Sequence, residues 1–229
     1  MIRRVMLDIE TLGTAAGSVF FSIGAVEFSG GKLGDSFEVL IDPKDAQARG
    51  LKIEAGTVAW WMGQGVEARA AALGAWQEGR PLHYALLCLR HWLERLRAGA
   101  ESGFEIWGNA PSLDCALVEE GYRALGEAAP WQFWQERCYR TLKNLRPDVQ
   151  MVRTGTHHVA LDDARDQARH AIALLEALGC ADWEGAKFEH KGTEGTEAGT
   201  EADLEALAAA GDLRDEGERV IVPDREGGR

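Results

Sequence analysis

An apolar strand near the start of the chain carries two acidic side chains, and it constrains the fold more than any other segment. Residues 5–10 read VMLDIE, with Asp8 and Glu10 separated by Ile9. Side chains alternate between the two faces of a strand, so these two carboxylates point to the same face. Neighbouring carboxylates repel each other unless a proton or a cation lies between them. A strand face open to water is the alternative, so the prediction of a site depends on further acidic groups.

The rest of the chain predicts strands followed by helices, as in an α/β domain. Strands are predicted at 5–9, 20–28, 36–41 and 104–109, with CYRTL at 138–142 as a further candidate. The glycine-rich SGGKLGD segment between the second and third strands predicts a hairpin turn. Helical spacing of apolar residues predicts helices at 57–73, 81–96, 113–125 and 164–178.

The chain is long enough for one sizeable domain, and its composition changes near residue 185. It has 229 residues, of which 45% are apolar and 27% are charged, as is typical of a globular domain. Residues 185–229 repeat Gly, Thr and Glu with few apolar side chains. We therefore predict a domain at 1–184 and a disordered, flexible acidic tail at 185–229. The tail is either a solvated spacer or a peptide that docks on a protein partner.

The net charge of −12 does not exclude a nucleic-acid partner. Half of it, −6, lies in residues 185–229, and bound cations would neutralise acidic groups of the domain. The apolar runs are too short to span a membrane, and the N-terminus lacks the apolar stretch of a secretory signal. The four cysteines are scattered, without metal-binding spacing. These features predict a cytoplasmic protein with no membrane partner.

Two later stretches supply further acidic residues and a histidine. WGNAPSLD places Asp114 at a helix start just past a strand, where an acidic residue also stabilises the helix dipole. THHVALDD places His158 five residues before Asp163, which enters the last helix. Asp162 is interpreted as a cap of that helix, and Asp166 as a solvated residue.

In this order, LDIETLG, GNAPSLD and HHVALDDA resemble the three motifs of the DnaQ-like 3′–5′ exonucleases of the DEDDh type. Their pattern of Asp-x-Glu, Asp and His-x-x-x-x-Asp is met by Asp8, Glu10, Asp114, His158 and Asp163. The resemblance covers about residues 2–180. It implies a ribonuclease H-like fold, with a mixed central sheet flanked by helices, and hydrolysis of phosphodiester bonds at the 3′ end of RNA or DNA.

The resemblance also implies two divalent cations, Mg²⁺ or Mn²⁺, held by the four carboxylates. Asp8 would bridge both ions. Glu10 and Asp163 would hold the first ion, and Asp114 would support the second. Carboxylate oxygens are suitable ligands for these hard cations, and such cations absorb the charge that develops on a phosphodiester during cleavage.

A histidine suits the remaining task, which is to take a proton from the attacking water near neutral pH. The resemblance implies that this general base is His158, because its spacing to Asp163 matches the family motif. The adjacent His157 is the competing candidate.

The segment TVAWWMGQGVEAR at 57–69 resembles the Thr-Trp-Trp-Gln-Glu-Ala-Arg signature of a smaller branch of this superfamily. That branch contains exoribonuclease-like proteins and the nuclease-like N-terminal part of exodeoxyribonuclease VIII, often carried by bacteriophages. Gly63 and Gly65 depart from the signature and weaken the predicted helix. The branch favours RNA or structured ends slightly over DNA.

A 3′ end is held without reading its sequence by stacking contacts and by contacts to phosphates. Thr11, Leu12 and Gly13 resemble the family's pocket wall for the last nucleotide. In this interpretation Leu12 is a wedge, and Gly13 lets the nucleic acid approach closely.

Trp60 and Trp61 diverge by about 100° on a helix, so one of them is expected in the core and the other beside the substrate. Trp61 is the candidate substrate contact, and the other predicted contacts are Gln64, Asn109 and Arg140. The remaining tryptophans considered are predicted core residues: Trp76, Trp92, Trp131 and Trp134.

Basic residues concentrate just before His158, and they are either a solvated surface or phosphate contacts, which we favour. They are Arg137, Arg140, Lys143, Arg146 and Arg153. The alternative function is a catalytically silent nucleic-acid-binding module that acts through a partner bound to its tail. The sequence leaves the oligomeric state open, and the resemblance allows a homodimer, because many relatives are dimers.

Overall fold

Five strands, in the order β5-β4-β1-β2-β3, form the main part of a seven-stranded mixed sheet. The computed structural model describes residues 2–100 and 103–180, together with the backbone of 214–216 and 219–221. β1 pairs antiparallel with β2, and β2 antiparallel with β3, whereas β4 is parallel to β1 and β5 is parallel to β4. The strands are β1 (Arg3–Thr11), β2 (Phe20–Ser29), β3 (Lys32–Leu40), β4 (Phe104–Gly108) and β5 (Glu136–Cys138).

Helices cover both faces of the sheet. One apolar cluster packs residues of the first five helices against one face, and a second cluster packs the last two helices against the other. The helices are α1 (Pro43–Ala48), α2 (Ala55–Met62), α3 (Val66–Glu78), α4 (Leu82–Ala98), α5 (Asp114–Ala124), α6 (Tyr139–Leu145) and α7 (Ala160–Ala177), with a short 3-10 helix at Phe133–Gln135. The predicted α/β architecture, a mixed sheet flanked by helices, is confirmed. Among the described helices, none has the length and hydrophobicity needed to cross a membrane.

The predicted hairpin joins β2 to β3 through a two-residue glycine turn. Ser29 pairs with Lys32, and both Gly30 and Gly31 have positive φ, at 57° and 73°. A turn of this kind needs positive φ at both central residues, which glycine adopts without strain. The glycines therefore set the pairing of β2 with β3 at this end of the hairpin.

Two predictions of secondary structure are wrong. The helix predicted at 57–73 is two helices, because α2 ends at Met62 and α3 begins at Val66. Glycines flank the break, where their low helix propensity outweighs the helical pattern. The strand predicted at 138–142 is mostly helix α6, since the Cys138 thiol accepts a hydrogen bond from the Thr141 N–H and begins a helix there.

Two short strands fall within the predicted tail. β6 (Arg214–Glu216) pairs antiparallel with β7 (Arg219–Ile221), and β7 pairs in parallel with β3, Ser36 opposite Arg219. They extend the sheet beyond β3. The other residues of the tail prediction, including the boundary at 184, lie outside the described residues.

Candidate active site

Strand β1 and helix α7 bring three carboxylates together. Asp8 and Glu10 lie on the face of β1 that carries Met6, whose side chain packs in the same apolar cluster as α7. Asp163 lies in the first turn of α7. One oxygen from each of Asp8, Glu10 and Asp163 lies within 4.8 Å of the others, and all three residues are buried. Three carboxylate oxygens this close together could share one divalent cation.

Glycine at position 24 allows α7 to start this close to the sheet. A Cβ at Gly24 would lie 2.1 Å from the backbone nitrogen of Leu161 and 2.2 Å from the carbonyl carbon of Ala160. Side-chain atoms do not approach backbone atoms so closely. The first turn of α7 therefore rests directly on Gly24 of β2, which is the residue that pairs with Asp8.

Asp114, at the start of α5, lies close enough to Asp8 and Glu10 for its charge to raise their pKa values. The carboxylate of Asp114 accepts a hydrogen bond of 2.8 Å from the backbone N–H of Ala110. It packs against Gly108, the last residue of β4, where a Cβ would lie 2.9 Å from the carboxylate. The loop between β4 and α5 thus fixes the direction of this fourth acidic group.

Burial and mutual repulsion raise the pKa values of these carboxylates. Burial holds the pKa of Asp8 well above its usual range, and the charges of Asp114, Glu10 and Asp163 add to this shift. Burial, with the charges of Asp163 and Asp114, raises the pKa of Glu10 to about 8. Burial raises the pKa of Asp114 to about 6, against the backbone N–H of Ala110 and the charge of Arg140. A bound cation would favour the ionised form of these carboxylates and so offset their mutual repulsion.

Gln167, one turn after Asp163 on α7, orients Asp8. Its side-chain amide donates a 2.8 Å hydrogen bond to Asp8 Oδ1. Gln167 is only 8% exposed, and its Oε1 is buried without a hydrogen-bond partner among the described residues. An oxygen of this kind beside four carboxylates is a further feature that suits a hydrated cation. The residues therefore fit divalent metal ions.

His158 borders the carboxylates from the loop before α7. Its backbone has φ 64°, and its N–H donates a 3.0 Å hydrogen bond to Asp163 Oδ2. The ring stacks on His157 at 3.7 Å between centroids and meets the edge of Trp60 at 4.9 Å. Burial, with the charge of His157, lowers the pKa of His158, although Asp163 opposes the shift. Of the two histidines, His157 is the exposed one.

Two aspartates hold the His158 loop against α7, and the sequence interpretation of both was wrong. Asp166, expected in solvent, is 1% exposed, and its carboxylate accepts from the Thr154 N–H and hydroxyl and from the Gly155 N–H. Asp162, expected to cap its own helix, accepts instead from the Thr156 N–H at 2.9 Å. Both aspartates accept hydrogen bonds from the loop because residues 154–156 fold back along α7. A local sequence pattern does not reveal this contact.

Most of the predicted basic segment is used within the fold. Arg137 pairs with Glu105, Arg146 with Asp148, and the Lys143 ammonium lies over the Tyr139 ring. Arg153 pairs with Asp163 Oδ1 at 2.6 Å. Arg140 is exposed and close enough to Asp114 to lower its pKa.

The tryptophan pair of α2 is placed the other way round from the sequence expectation. Trp61 is 6% exposed and packs in the core, while its indole N–H donates to the Thr11 carbonyl at 2.8 Å. Trp60 is 46% exposed beside His158. A groove of about 400 Å³ lies between β1 and α2, lined by Glu10, Thr11, Thr14, Gly56, Thr57, Trp60 and Trp61.

Leu12 and Gly13 face the protein itself. Leu12 is 4% exposed in the core cluster. A Cβ at Gly13 would lie 2.4 Å from the Ser18 hydroxyl, so this glycine is required by packing within the chain. Glu54 then braces the following loop, accepting from the N–H groups of Thr14 and Ala15.

The two remaining predicted substrate contacts, Gln64 and Asn109, differ in their hydrogen bonding within the protein. The Gln64 side chain is half-buried and donates to the Trp60 carbonyl at the end of α2, where it stabilises the helix break. Asn109 directly follows β4, and its buried side-chain Oδ1 lacks a hydrogen-bond partner among the described residues. Of the predicted core tryptophans, Trp92 and Trp131 are buried, while Trp76 and Trp134 are half-buried.

Solved structures that share this fold include two nucleases. The nuclease domain of 3'hExo, a DEDDh family member bound to rAMP, is 13% identical with a TM-score of 0.56, over 78% of this chain and 94% of that one. A 3'-exonuclease, from a structure of the 3'-end specific recognition of histone mRNA stem-loop, is 11% identical with a TM-score of 0.57, over 78% and 83%. At these identities the likeness shows the fold. No curated protein matches the sequence.

The chain shares its α/β fold, a mixed sheet flanked by helices, with the nuclease domain of a DEDDh family member. Among the described residues, Asp8, Glu10 and Asp163 form an acidic group that could hold a divalent cation. The sequence model of the Rv2179c-like 3'-5' exoribonuclease domain matches residues 3–175. The chain therefore belongs to the Rv2179c-like 3'-5' exoribonuclease domain family.

Proposed function

We propose that this exonuclease removes nucleotides from the 3′ end of RNA with two divalent cations, Mg²⁺ or Mn²⁺, and with His158 as general base. One observation carries the proposal. Asp8, Glu10 and Asp163 place three buried carboxylate oxygens within 4.8 Å of one another, in a cluster where burial and the neighbouring carboxylates raise the pKa of Glu10 to about 8. The choice of RNA is supported by the family to which residues 3–175 belong.

The four carboxylates hold the cations in this proposal. The charges of Asp114, Glu10 and Asp163 all act on Asp8, so Asp8 is the carboxylate that would contact both ions. When bound, the cations lower the pKa of a water and offset the charge that develops on the phosphodiester. Gln167 keeps one Asp8 oxygen in place through its 2.8 Å hydrogen bond and so fixes the direction of the other.

His158 takes the proton from the attacking water. A base must be neutral to accept a proton, and burial lowers the pKa of His158, so the neutral form prevails near pH 7. The Trp60 edge and the bond from the His158 N–H to Asp163 hold the ring beside the carboxylates. His158 and Asp163 offer ligand atoms within 4.8 Å of each other, which is close enough for the ring to reach the reacting water.

The 3′-terminal nucleotide occupies the groove between β1 and α2. Its volume of about 400 Å³ and its opening beside Glu10 suit one nucleotide. Trp60, the exposed tryptophan, offers a ring face or edge for a base, and such stacking tolerates any sequence. Two basic side chains of the predicted segment border the carboxylates: Arg153 pairs with Asp163, and Arg140 lies close enough to Asp114 to lower its pKa.

The experiment is a digestion of matched RNA, single-stranded DNA and duplex substrates labelled at the 5′ end. We expect a ladder that shortens from the 3′ end in Mg²⁺ or Mn²⁺, with RNA cut fastest, and no cleavage in EDTA. Asp8→Asn controls for a contaminating nuclease. Cleavage in EDTA, or by the variant, would contradict the cation proposal, and equal rates on DNA would contradict the choice of RNA.

The predicted homodimer, the protein partner of the tail and the cytoplasmic location stay predictions. Light scattering of the full chain, and of a chain that ends at residue 184, tests the first of them. A dimer in both would place the interface within the domain.

A further inference from the structure

We propose that Arg153 competes with the cation for Asp163 and turns to the substrate phosphate when the cation binds. The inference rests on the proposed cation site. Arg153 lies five residues before His158, in the loop that connects α6 to α7, and its guanidinium donates to Asp163 Oδ1 at 2.6 Å. Asp163 is the carboxylate that completes the cluster with Asp8 and Glu10.

Both oxygens of Asp163 are engaged in the structure. Oδ2 accepts the His158 N–H at 3.0 Å, and Oδ1 accepts the guanidinium of Arg153. The backbone bond fixes the carboxylate, so Oδ1 is the oxygen that turns towards other partners. A divalent cation that takes Oδ1 as a ligand meets a guanidinium on the same atom, and the two positive charges repel. One of them must leave.

The guanidinium is the group that can leave without unfolding the loop. The Arg153 side chain is 43% exposed, whereas that of Asp163 is 10% exposed. The backbone is held on both sides of Arg153: His170 bonds to the Val149 carbonyl at 2.8 Å, and Asp166 accepts the Thr154 N–H. Rotation of the side chain is therefore sufficient, while the loop and His158 keep their places.

A displaced Arg153 has an obvious partner in the substrate. The planar guanidinium matches the oxygens of a phosphate and binds them with two parallel hydrogen bonds. The scissile phosphate is drawn to the same cations that displace the side chain. The Arg153–Asp163 ion pair thus couples cation binding to phosphate binding, because Arg153 becomes available to phosphate only when the cation holds Asp163.

The test measures Mn²⁺ binding by calorimetry with no nucleic acid present. The proteins are wild type, Arg153→Gln and the control Arg165→Gln, which removes a charge from α7 where Arg165 donates to the Ser36 hydroxyl. We expect Arg153→Gln to bind Mn²⁺ about tenfold more tightly, since a competing charge-assisted contact is gone. The control should stay within about twofold. Circular dichroism confirms that each variant is folded.

A second measurement examines the phosphate contact. At saturating Mn²⁺, Arg153→Gln should raise KM for a short oligonucleotide by about tenfold, whereas Arg153→Lys should recover part of this loss. Unchanged or weaker Mn²⁺ binding by Arg153→Gln would overturn the competition, and an unchanged KM would overturn the contact to phosphate. A wild-type protein that does not bind Mn²⁺ would overturn the proposed cation site as well.

Discussion

Gly24 on β2 and Leu161 on α7 lie so close that a methyl group at position 24 would be 2.1 Å from the Leu161 backbone nitrogen. Gly24 pairs with Asp8 across the sheet, and Leu161 lies two residues before Asp163. The contact therefore sets the distance between the two parts of the chain that carry the acidic cluster. A glycine outside the motifs thus helps to bring together the strand and the helix that carry the cluster.

Gly24→Ala should destabilise the protein and separate the carboxylates. The added methyl meets backbone, which cannot turn aside as a flexible side chain can, so α7 must shift outward. We expect a loss of about 2 kcal/mol or more in the free energy of unfolding, measured by chemical denaturation. Mn²⁺ affinity should fall in the fraction that remains folded.

Gly65→Ala is the matched control for this prediction. Gly65 has φ −58°, and a Cβ there would lie 3.7 Å from its nearest neighbour, the Glu67 carboxylate. Its unfolding free energy should change by less than about 0.5 kcal/mol. Equal stability of the Gly24 and Gly65 variants would show that α7 does not rest on β2 in the way described.

Asp8→Asn should remove cleavage and make the protein in EDTA at least as stable as wild type. The amide keeps an oxygen that accepts the Gln167 hydrogen bond, but it removes one buried charge from the cluster. We expect activity to fall by about a hundredfold or more, because the charge that holds both cations is gone. Thermal unfolding in EDTA should occur at or above the wild-type temperature.

The exposed Asp35→Asn is the control, since Asp35 pairs loosely with Arg95 at 3.8 Å on the surface. It should keep both activity and stability. Retained cleavage by Asp8→Asn, or a clear loss of its stability, would mean that Asp8 has a structural task instead.

The acidic motifs could be predicted from the sequence because each motif also has a local structural meaning. Asp8 and Glu10 share a strand face because side chains alternate between the two faces of a strand. Asp163 lies in the first turn of a helix whose apolar stripe is visible in the sequence. The turn Gly30–Gly31 is equally local. Such features need no knowledge of distant contacts.

The features that could not be predicted all depend on distant contacts. Trp60 and Trp61 are adjacent, and which one is buried depends on where α2 packs rather than on the pattern of its residues. Asp166 looks like a solvated helix residue until the loop at 154–155 folds over it. The need for glycine at position 24 depends on the backbone of α7, which is more than a hundred residues away in sequence.

In EDTA, stability should fall as the pH rises from about 5 to about 9. Glu10 has a pKa raised from 4.5 to about 8 and Asp114 has one raised from 3.8 to about 6, so the folded protein holds protons that the unfolded chain has lost. Stability is then greatest below the unfolded pKa values and is lost as the pH rises through the folded ones.

Divalent cations should reverse this dependence, because they bind the ionised carboxylates. Chemical denaturation at pH 5.5, 7 and 8.5, with EDTA or with Mg²⁺, measures both trends, and Glu10→Gln should flatten the EDTA curve. A curve in EDTA that rises with pH would contradict the raised pKa values.

His158→Gln should lower the cleavage rate by about a hundredfold or more without weakening Mn²⁺ binding. The ring takes a proton, while its backbone N–H, which holds Asp163, survives the substitution. His157→Gln removes the exposed ring of the pair and should change the rate by less than about fivefold. Single-turnover cleavage and calorimetry separate the two effects. The reverse order of the two variants would assign the base to His157.

The position of bound Mn²⁺ tests the account most directly. Crystals grown with Mn²⁺ give anomalous scattering from the metal itself, so the ions can be placed without assumptions about the protein. The account predicts one peak among the Asp8, Glu10 and Asp163 oxygens, a second between Asp8 and Asp114, and an Arg153 side chain turned away from Asp163. Manganese found elsewhere, with Arg153 still paired to Asp163, would contradict it.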